Sequence, residues 1–405
     1  MQPRTAFAAT AVLLLSATAL APVGCGAAQP TEDGTAATRT WTVVDTGQDR
    51  CYDLYGSVIS PTPGQDYYGQ DAQYAGAQPS YRDNGDGTIS DLNTGLMWQK
   101  DPGAKVPWAL AVAGATRCRL AGYSDWRLPS IKELYSLIDF RGRTGTSSAD
   151  SIPFIDTNYF VFNYGDVTGE RFIDSQFCSS TRYVSTTMFG NPTVFGVNFA
   201  DGRIKGYPIR MPDGRQKLFY CLYVREGAGY GINDFVDNGD GTVTDRATGL
   251  MWQKADDGRK RNWREALDYA ESLSLAGHDD WRLPNAKELQ SIVDYKRSPA
   301  TTGTAAIDPI LTCTPISNEV RQWDFGCYWS STTHLDGPQA GAAACYVAFG
   351  RAMGCMNGRW TDVHGAGAQR SDPKAGDPGT FPYGRGPQGD AIRIYNLVRA
   401  VRDAR

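Results

Sequence analysis

Histidine is scarce in this sequence, and the residue patterns of several common chemistries are missing. The 405 residues include three histidines, far apart at His278, His334 and His364. This distribution argues against a catalytic triad or a histidine metal site. No two of the nine cysteines form a CxxC pair, which argues against a zinc ribbon or a redox motif. The net charge of -4 provides no basic field for nucleic acid, so we predict no nucleic-acid partner.

Long apolar runs are also rare, and the main one lies at the N-terminus. Residues 6–21 follow Arg4 and precede Pro-Val-Gly-Cys at 22–25. A cation before a short apolar run is typical of a signal peptide rather than a membrane span. The small residue before Cys25 suits lipoprotein processing, although Pro22 stands where leucine is usual. Ordinary cleavage near 26–28 is the alternative.

These features predict a signal peptide over residues 1–25, lipidation at Cys25 and a linker over 26–45. The expected location is the envelope of a bacterium, with the exported chain anchored to a membrane through its N-terminal lipid only. Without lipidation, the protein would be periplasmic or secreted.

The rest of the chain contains one pattern twice. Residues 81–100 match 235–254 at an offset of 154, with fourteen of the twenty positions identical. The sequence GYSDWRLPSIKEL at 122–134 recurs as GHDDWRLPNAKEL at 277–289. Both copies end in an apolar segment that closes on arginine. Repeats of this length indicate tandem domains, which we place at 46–228 and 229–405.

Each copy has readable local structure. DNGDG between alternating apolar and polar residues indicates a β-hairpin. An amphipathic helix follows, capped in copy two by Asn262 with Glu265, and a second helix is capped by Ser130 or Asn285. The remainder is predicted as short strands and glycine-rich loops. This gives the α+β class, with two helices and a small, mostly antiparallel sheet in each domain. The predicted buried face of the first helix comprises Trp108, Ala111, Val112, Ala115 and Cys118 in copy one, and Trp263, Ala266, Leu267, Ala270 and Leu273 in copy two.

The eight cysteines after Cys25 are an even set, which in an exported chain predicts disulfides. A bridge from Cys118 to Cys221 would join the first helix to the closing strand. Cys345 and Cys355 are spaced like a cross-strand pair in a hairpin. The remaining pairs, Cys313 with Cys327 and Cys51 with Cys178, follow by elimination only, and the connectivity stays open.

These motifs resemble the Lcl C-terminal domain family, named after a collagen-like bacterial adhesin. The resemblance rests on DNGDGTxxDxxTGLMWQK, the amphipathic helix, DWRLPxxKEL, a Ser-Ser-Thr element and a final strand ending in Val-Arg, in the same order twice. It covers nearly all of residues 46–404 and includes no collagen-like Gly-X-Y stretch. The resemblance implies two C-type-lectin-like domains with an adhesion or binding role.

A further resemblance, to formylglycine-generating enzymes of the C-type-lectin-like folds, supports the fold more than an activity. Such an oxidase needs a reduced cysteine pair, for which Cys345 and Cys355 are the candidates. We therefore expect a non-catalytic protein without a cofactor, and keep an oxidase-like enzyme as an alternative. A structural role in surface assembly is another alternative, with the insert at 365–390 as a partner-contacting loop or a mobile excursion.

The DNGDG segments raise a calcium hypothesis through Asp83, Asp86, Asp237 and Asp240. An EF-hand loop needs oxygen ligands at alternate positions, where these segments have glycine. We favour a tight turn, with Asn and Gly at positive φ, and predict no metal site.

Tryptophan and arginine also recur at matching positions. Trp98, Trp126, Trp252 and Trp281 are interpreted as core residues rather than sugar-stacking platforms. Arg127 and Arg282 are expected to hold backbone carbonyls or a carboxylate such as Glu133 or Glu288. A ligand-binding role is the alternative in each case.

Arg259, Lys260 and Arg261 form the one dense basic cluster and are the candidate ligand residues. The family resemblance implies a sulfated glycan, and more broadly an extracellular carbohydrate or anionic polymer, as partner. A solvated helix start is the alternative interpretation. Heparin or dextran sulfate binding that falls when all three become Ala would support the ligand role.

Overall fold

Residues 39–404 are the part of the chain that the computed structural model describes, and they form one compact unit. The predicted signal peptide, Cys25 and most of the predicted linker lie outside the described residues. Within 39–404, no helix has both the length and the apolar character needed to cross a bilayer.

The elements of the first copy and its leading segment alternate short strands with two α-helices. They are β1 (Cys51–Tyr52), β2 (Val58–Ile59), β3 (Tyr81–Asp83), β4 (Thr88–Asp91), β5 (Leu96–Gln99), β6 (Val106–Pro107), α1 (Trp108–Arg117), α2 (Ile131–Ser136), β7 (Gln176–Thr187), β8 (Asn191–Asn198), β9 (Arg203–Pro208), β10 (Leu218–Phe219) and β11 (Val224–Glu226).

The second copy repeats this order with additional hairpins. Its elements are β12 (Phe235–Asp237), β13 (Thr242–Asp245), β14 (Leu250–Gln253), α3 (Trp263–Glu271), α4 (Ala286–Ser291), β15 (Pro315–Ser317), β16 (Trp323–Phe325), β17 (Cys327–His334), β18 (Ala343–Ala348), β19 (Met353–Met356), β20 (Arg359–Asp362), β21 (Gln369–Pro373) and β22 (Val401–Asp403). The prediction of two helices and mostly antiparallel strands in each copy is confirmed, and the described residues are mainly β.

A six-stranded antiparallel sheet joins the two copies. Its order is β17-β18-β21-β9-β8-β7, so each copy contributes three strands and the copies meet where β9 pairs with β21. We call this the shared sheet. From either edge toward the middle, the first, second and third strands of one copy correspond to those of the other: β17 to β7, β18 to β8 and β21 to β9. The two halves are therefore related by an approximate two-fold axis at the β9–β21 seam.

A four-stranded sheet in each copy contains the predicted hairpin and closing strand. The orders are β3-β4-β5-β11 and β12-β13-β14-β22. Val224 of the closing strand lies opposite Trp98, and Val401 lies opposite Trp252. All four repeated tryptophans are buried, which confirms that they are core residues. In the DNGDG turns only the glycines, such as Gly85 with φ +77°, adopt positive φ, so the expectation for Asn was wrong.

The largest hydrophobic cluster spans both copies. It lies between the shared sheet and the helices α2 and α4, and it includes Phe195 of copy one and Tyr295 of copy two, whose ring centroids are 4.8 Å apart. Two smaller clusters lie on the opposite face of the sheet, beside α1 and beside α3. The apolar area buried at the seam therefore stabilises the two copies as one body.

The helix caps form as predicted. The side chains of Asn262, Ser130 and Asn285 each accept a hydrogen bond from the backbone N–H three residues later, and the glutamate at that position accepts one from the backbone N–H of the cap residue. The predicted face of α3 is buried at Trp263, Ala266, Leu267 and Ala270, whereas Leu273 is half-buried and lies beyond the end of the helix. In copy one only Ala111 and Ala115 of the predicted face are buried: Val112 is 40% exposed, Trp108 is half-buried, and Cys118 is half-buried and lies just past the end of α1.

The leading segment, residues 39–79, packs largely on the second copy. The Gln48 amide bonds to the backbone of Thr333 in β17 through both its nitrogen and its oxygen, at 2.7 and 2.8 Å. Asp71 accepts hydrogen bonds from the hydroxyls of Thr46 and Thr332. The leading segment therefore covers copy two, although copy one follows it directly in the sequence.

Candidate functional site

Two adjoining cavities form a cleft on the outer face of the shared sheet, the face opposite α2 and α4. The first, the seam pocket, has a volume of about 260 Å³ and lies beside the β9–β21 contact. The second, the chamber, has a volume of about 450 Å³ and lies beside the tip of the β7–β8 hairpin. Arg171, Lys205 and Gln388 line both cavities, so the two lie side by side.

Strand alternation brings charged side chains to the seam pocket. Ile204 in β9 lies in the main core, and its neighbours Arg203 and Lys205 point to the other face. Across the seam, Arg370 and Asp372 of β21 line the same pocket. Each copy therefore supplies one charged strand to this site.

A network of ion pairs surrounds Asp201 at the base of the seam pocket. The Lys205 Nζ lies 2.6 Å and the nearest Arg203 nitrogen 3.6 Å from the Asp201 carboxylate. Burial raises the pKa of Asp201, but the nearby cations outweigh burial and hold that pKa below its usual value. Burial lowers the pKa of Lys205 to about 8, against the attraction of Asp201. The pocket thus holds closely coupled charges of both signs.

Arg370 lines the seam pocket and has two buried nitrogen atoms without a hydrogen-bond partner. Its side chain is 9% exposed and contacts Asp390, which also accepts a 2.8 Å hydrogen bond from His364 Nε2. Among the described residues, no acceptor makes a hydrogen bond with Arg370 Nε or Nη1. Buried N–H groups without acceptors are unfavourable.

The chamber differs from the seam pocket, because its walls are largely apolar and its charges are mostly basic. Its apolar walls consist of methionine, aromatic and proline side chains, of which Met356 belongs to copy two and the others to copy one. The polar rim has Asp174 as its one carboxylate, and Arg171 holds it at 2.6 Å. The residues of the walls are Met188, Phe189, Tyr207, Pro208, Met211, Pro212 and Met356, and the basic rim consists of Arg171, Lys205, Arg210 and Lys217.

The basic cluster predicted from sequence lies elsewhere. Arg259 and Lys260 are exposed. Arg261 is 2.6 Å from Asp257, and its guanidinium lies 3.9 Å from the centre of the Tyr269 ring. None of the three basic residues lines the cleft.

The four aspartates of the calcium hypothesis lie in the hairpin turns. Asp83 accepts a hydrogen bond from Gly85 N–H and pairs with Lys100 at 2.6 Å. Asp86 accepts hydrogen bonds from Thr88. Asp237 and Asp240 make the equivalent contacts in copy two. Across residues 39–404, no three His, Cys, Asp or Glu side chains are arranged to hold a metal ion.

The structure corrects the predicted disulfides, since the eight cysteines within the described residues are all free thiols. Cys118 and Cys221 are neighbours without a bond, and Cys118 adds to the rise that burial causes in the pKa of Cys221. The hairpin pairing of Cys345 with Cys355 was wrong, because their strand partners are Ser371 and Trp360.

The two pairs assigned by elimination are also wrong. Cys313 packs in the main core beside Arg399, whereas Cys327 packs in the cluster on the other side of β17 beside Arg393. Cys51 lies on the leading segment in β1, and Cys178 lies in the cluster beside α1 in copy one.

The insert at 365–390 is partly a strand rather than a loop. Its residues Gln369–Pro373 form β21 in the shared sheet, and Arg385–Gln388 line the seam pocket. Sequence reasoning missed this site. The alternation of charged and apolar residues in Arg203–Lys205 was the available signal, but no motif indicated that β9 meets β21.

The fold and the cleft define a class, namely mainly β proteins in which two copies of one domain share a sheet. The family model of the Lcl C-terminal domain matches residues 87–225 and 241–363, well over half of the chain. The protein therefore belongs to the Lcl C-terminal domain family, as a tandem member. No curated protein and no solved structure matches the chain.

Proposed function

We propose that the protein is an exported, non-catalytic binding or adhesion protein of the bacterial cell envelope, and that its cleft recognises a carbohydrate or other anionic polymer. The observation that carries this proposal is the cleft itself. Basic side chains outnumber carboxylates along it. Guanidinium groups suit sulfate and carboxylate groups because they offer paired donors.

The fold proposal for each copy is a C-type-lectin-like domain. Two helices, an antiparallel sheet, and a closing strand paired with the Trp-bearing strand support it. The separation of Cys345 and Cys355 into different sheets supports a non-catalytic role over the oxidase-like alternative.

Polymer binding can be tested at the cleft and at the predicted cluster in parallel. The cleft variant carries Arg210→Gln with Arg385→Gln, two exposed positions on the cleft rim. The matched control carries Arg259→Gln with Lys260→Gln. Binding to heparin, dextran sulfate and uncharged dextran is measured by calorimetry at low and physiological salt, because salt screens exposed charges.

We expect the cleft variant to bind sulfated polymers roughly tenfold more weakly, a change of about 1.4 kcal/mol, with the control unchanged. Loss of binding in the control alone would move the site to the basic cluster. Absence of binding by the unmodified protein to all three polymers at low salt would overturn the proposal.

A further inference from the structure

We propose that the chamber is a binding site for a small amphipathic anion, a molecule with an apolar body and a single sulfonate or carboxylate head group. This proposal is independent of polymer binding. It concerns the apolar half of the cleft, whereas the polymer proposal rests on charges along its whole length.

The chamber has the size and lining of a small-molecule site. Its volume of about 450 Å³ lies within the range of ligand pockets, which is roughly 300–1,000 Å³. Met188, Met211 and Met356 lie in its walls, and methionine adapts to ligands of irregular shape. The Met356 wall belongs to the β19–β20 hairpin of copy two and the others to copy one. The chamber therefore exists only where the two copies meet.

The tip of the β7–β8 hairpin is built in an unfavourable backbone conformation that presents apolar side chains to the chamber. Met188, Phe189 and Gly190 have φ values of +47°, +66° and +102°. Such turns favour Gly and Asn, because side chains with a Cβ crowd the backbone at positive φ. The backbone N–H of Met188 donates to Asp362 O at 2.7 Å, which holds the tip against copy two.

Phe189 is 51% exposed despite this strained placement. An exposed aromatic side chain gains little from the fold itself, whereas at the mouth of an apolar cavity it can cover a ligand. The Arg359 guanidinium of copy two lies 5.2 Å from the centre of the Phe189 ring.

The basic rim defines the charge of the ligand. Lys217 Nζ lies 5.6 Å from the Tyr207 ring and 5.7 Å from the Phe219 ring, and within 39–404 it forms no ion pair. Burial lowers the pKa of Lys217, although Asp174 opposes this. An anionic head group beside Lys217 would compensate its partial burial. A neutral ligand would leave this cation unpaired, and a fully hydrophilic polyanion would leave the apolar walls unfilled.

The test uses 1-anilinonaphthalene-8-sulfonate, an amphipathic anion that fluoresces in apolar sites, and its neutral analogue N-phenyl-1-naphthylamine. Both are titrated into the unmodified protein and into three variants. Phe189→Gly removes the ring and relieves the positive φ, Lys217→Gln removes the cation, and Trp323→Ala removes an exposed aromatic residue outside the cleft.

We expect saturable binding of the sulfonate at one site, weakened roughly tenfold or more in Phe189→Gly and in Lys217→Gln, and unchanged in Trp323→Ala. Because Phe189→Gly relieves backbone strain, its thermal midpoint should equal or exceed that of the unmodified chain, so weaker binding could not be attributed to unfolding.

Three results would overturn the proposal. These are sulfonate binding that does not saturate, sulfonate binding that is equal in Phe189→Gly, and neutral-analogue binding as tight as that of the sulfonate with no effect of Lys217→Gln. Heparin binding is measured on Phe189→Gly in parallel. If heparin binding persists while sulfonate binding is lost, the two proposals stand separately; if heparin never binds, only the polymer proposal fails.

Discussion

The buried carboxyl group of Asp362 forms a hydrogen bond between the two copies. Asp362, in copy two, accepts hydrogen bonds from the Tyr183 hydroxyl of copy one at 2.8 Å and from Gly365 N–H. Burial raises the pKa of Asp362 to about 7 in spite of these donors. The neutral acid is therefore favoured in the folded protein at a pH where the unfolded chain is ionised.

This shift predicts a pH dependence of stability. Between the unfolded pKa near 4 and the folded pKa near 7, the folded state binds more protons, so its stability falls as pH rises through this range. Asp362→Asn should remove this contribution to the pH dependence of stability. At pH 8 the free energy of unfolding of the variant should exceed that of the unmodified chain by on the order of 1–3 kcal/mol. Denaturant unfolding at pH 4.5 to 8 measures it, with the surface substitution Asp279→Asn as control. Parallel curves for both variants and the unmodified chain would contradict the prediction.

At the scale of elements, the local sequence determines how helices begin. The Asn262 side chain accepts from Glu265 N–H at 3.0 Å, and the Glu265 carboxylate accepts from Asn262 N–H at 3.0 Å. The equivalent start of α1 is Pro107, which has no side-chain cap. The two copies thus keep the same helix with different stabilisation of its first turn.

Removal of this cap has a defined expected effect. Asn262→Ala should lower the free energy of unfolding by about 1 kcal/mol, since orphan N–H groups at the helix start lose their acceptor. Lys260→Ala, an exposed change just before the helix, should have almost no effect. Urea unfolding compares the two variants, and equal midpoints would show that the cap does not contribute.

Features with a local cause were predictable from sequence, and features with a long-range cause were not. The hairpins, caps and Arg282–Glu288 pair, at 2.6 Å, follow from residues a few positions apart. The β9–β21 contact joins residues 165 positions apart, and β21 lies beyond the segment of copy two that the family model matches. The seam pocket and the chamber depend on that contact, so composition and motifs gave no indication of either.

The disulfide predictions failed for a related reason. An even number of cysteines says nothing about which face of a strand each one occupies. Cys327 and Tyr328 are adjacent in β17 but pack in different clusters, and Cys313 is on the side of Tyr328. A shift of one residue along a strand moves a side chain to the opposite face of the sheet. Cys327 therefore lies on the face away from Cys313, and the two cannot pair.

At the scale of the whole molecule, the shared sheet makes the copies interdependent. Lys132 of α2 donates to Ser291 O at 2.6 Å, and its counterpart Lys287 of α4 donates to Ser136 O at 2.9 Å. These reciprocal contacts cross the seam at the ends of both short helices. Separation would expose the edges of β9 and β21, and an exposed strand edge favours association.

We therefore expect fragments 39–228 and 229–404 to lack a cooperative thermal transition when separate and to form a stoichiometric complex when mixed. Light scattering after size-exclusion chromatography measures the assembly. As a control, a protease site inserted at Gly229, an exposed loop position, allows the intact chain to be cut after folding; the cut halves should remain together. Two monomeric fragments, each as heat-stable as the full chain, would contradict this expectation.

The seam also has an evolutionary consequence. In a homodimer, every substitution near the two-fold axis appears twice, so a cavity on the axis must be symmetric. Fusion of the copies into one chain removes that constraint, because each half can change alone. Arg203 and Lys205 now face Arg370 and Asp372 rather than copies of themselves, and Met188–Gly190 closes an apolar cavity on one side only. Covalent linkage thus allows a near-symmetric junction to hold two chemically different cavities.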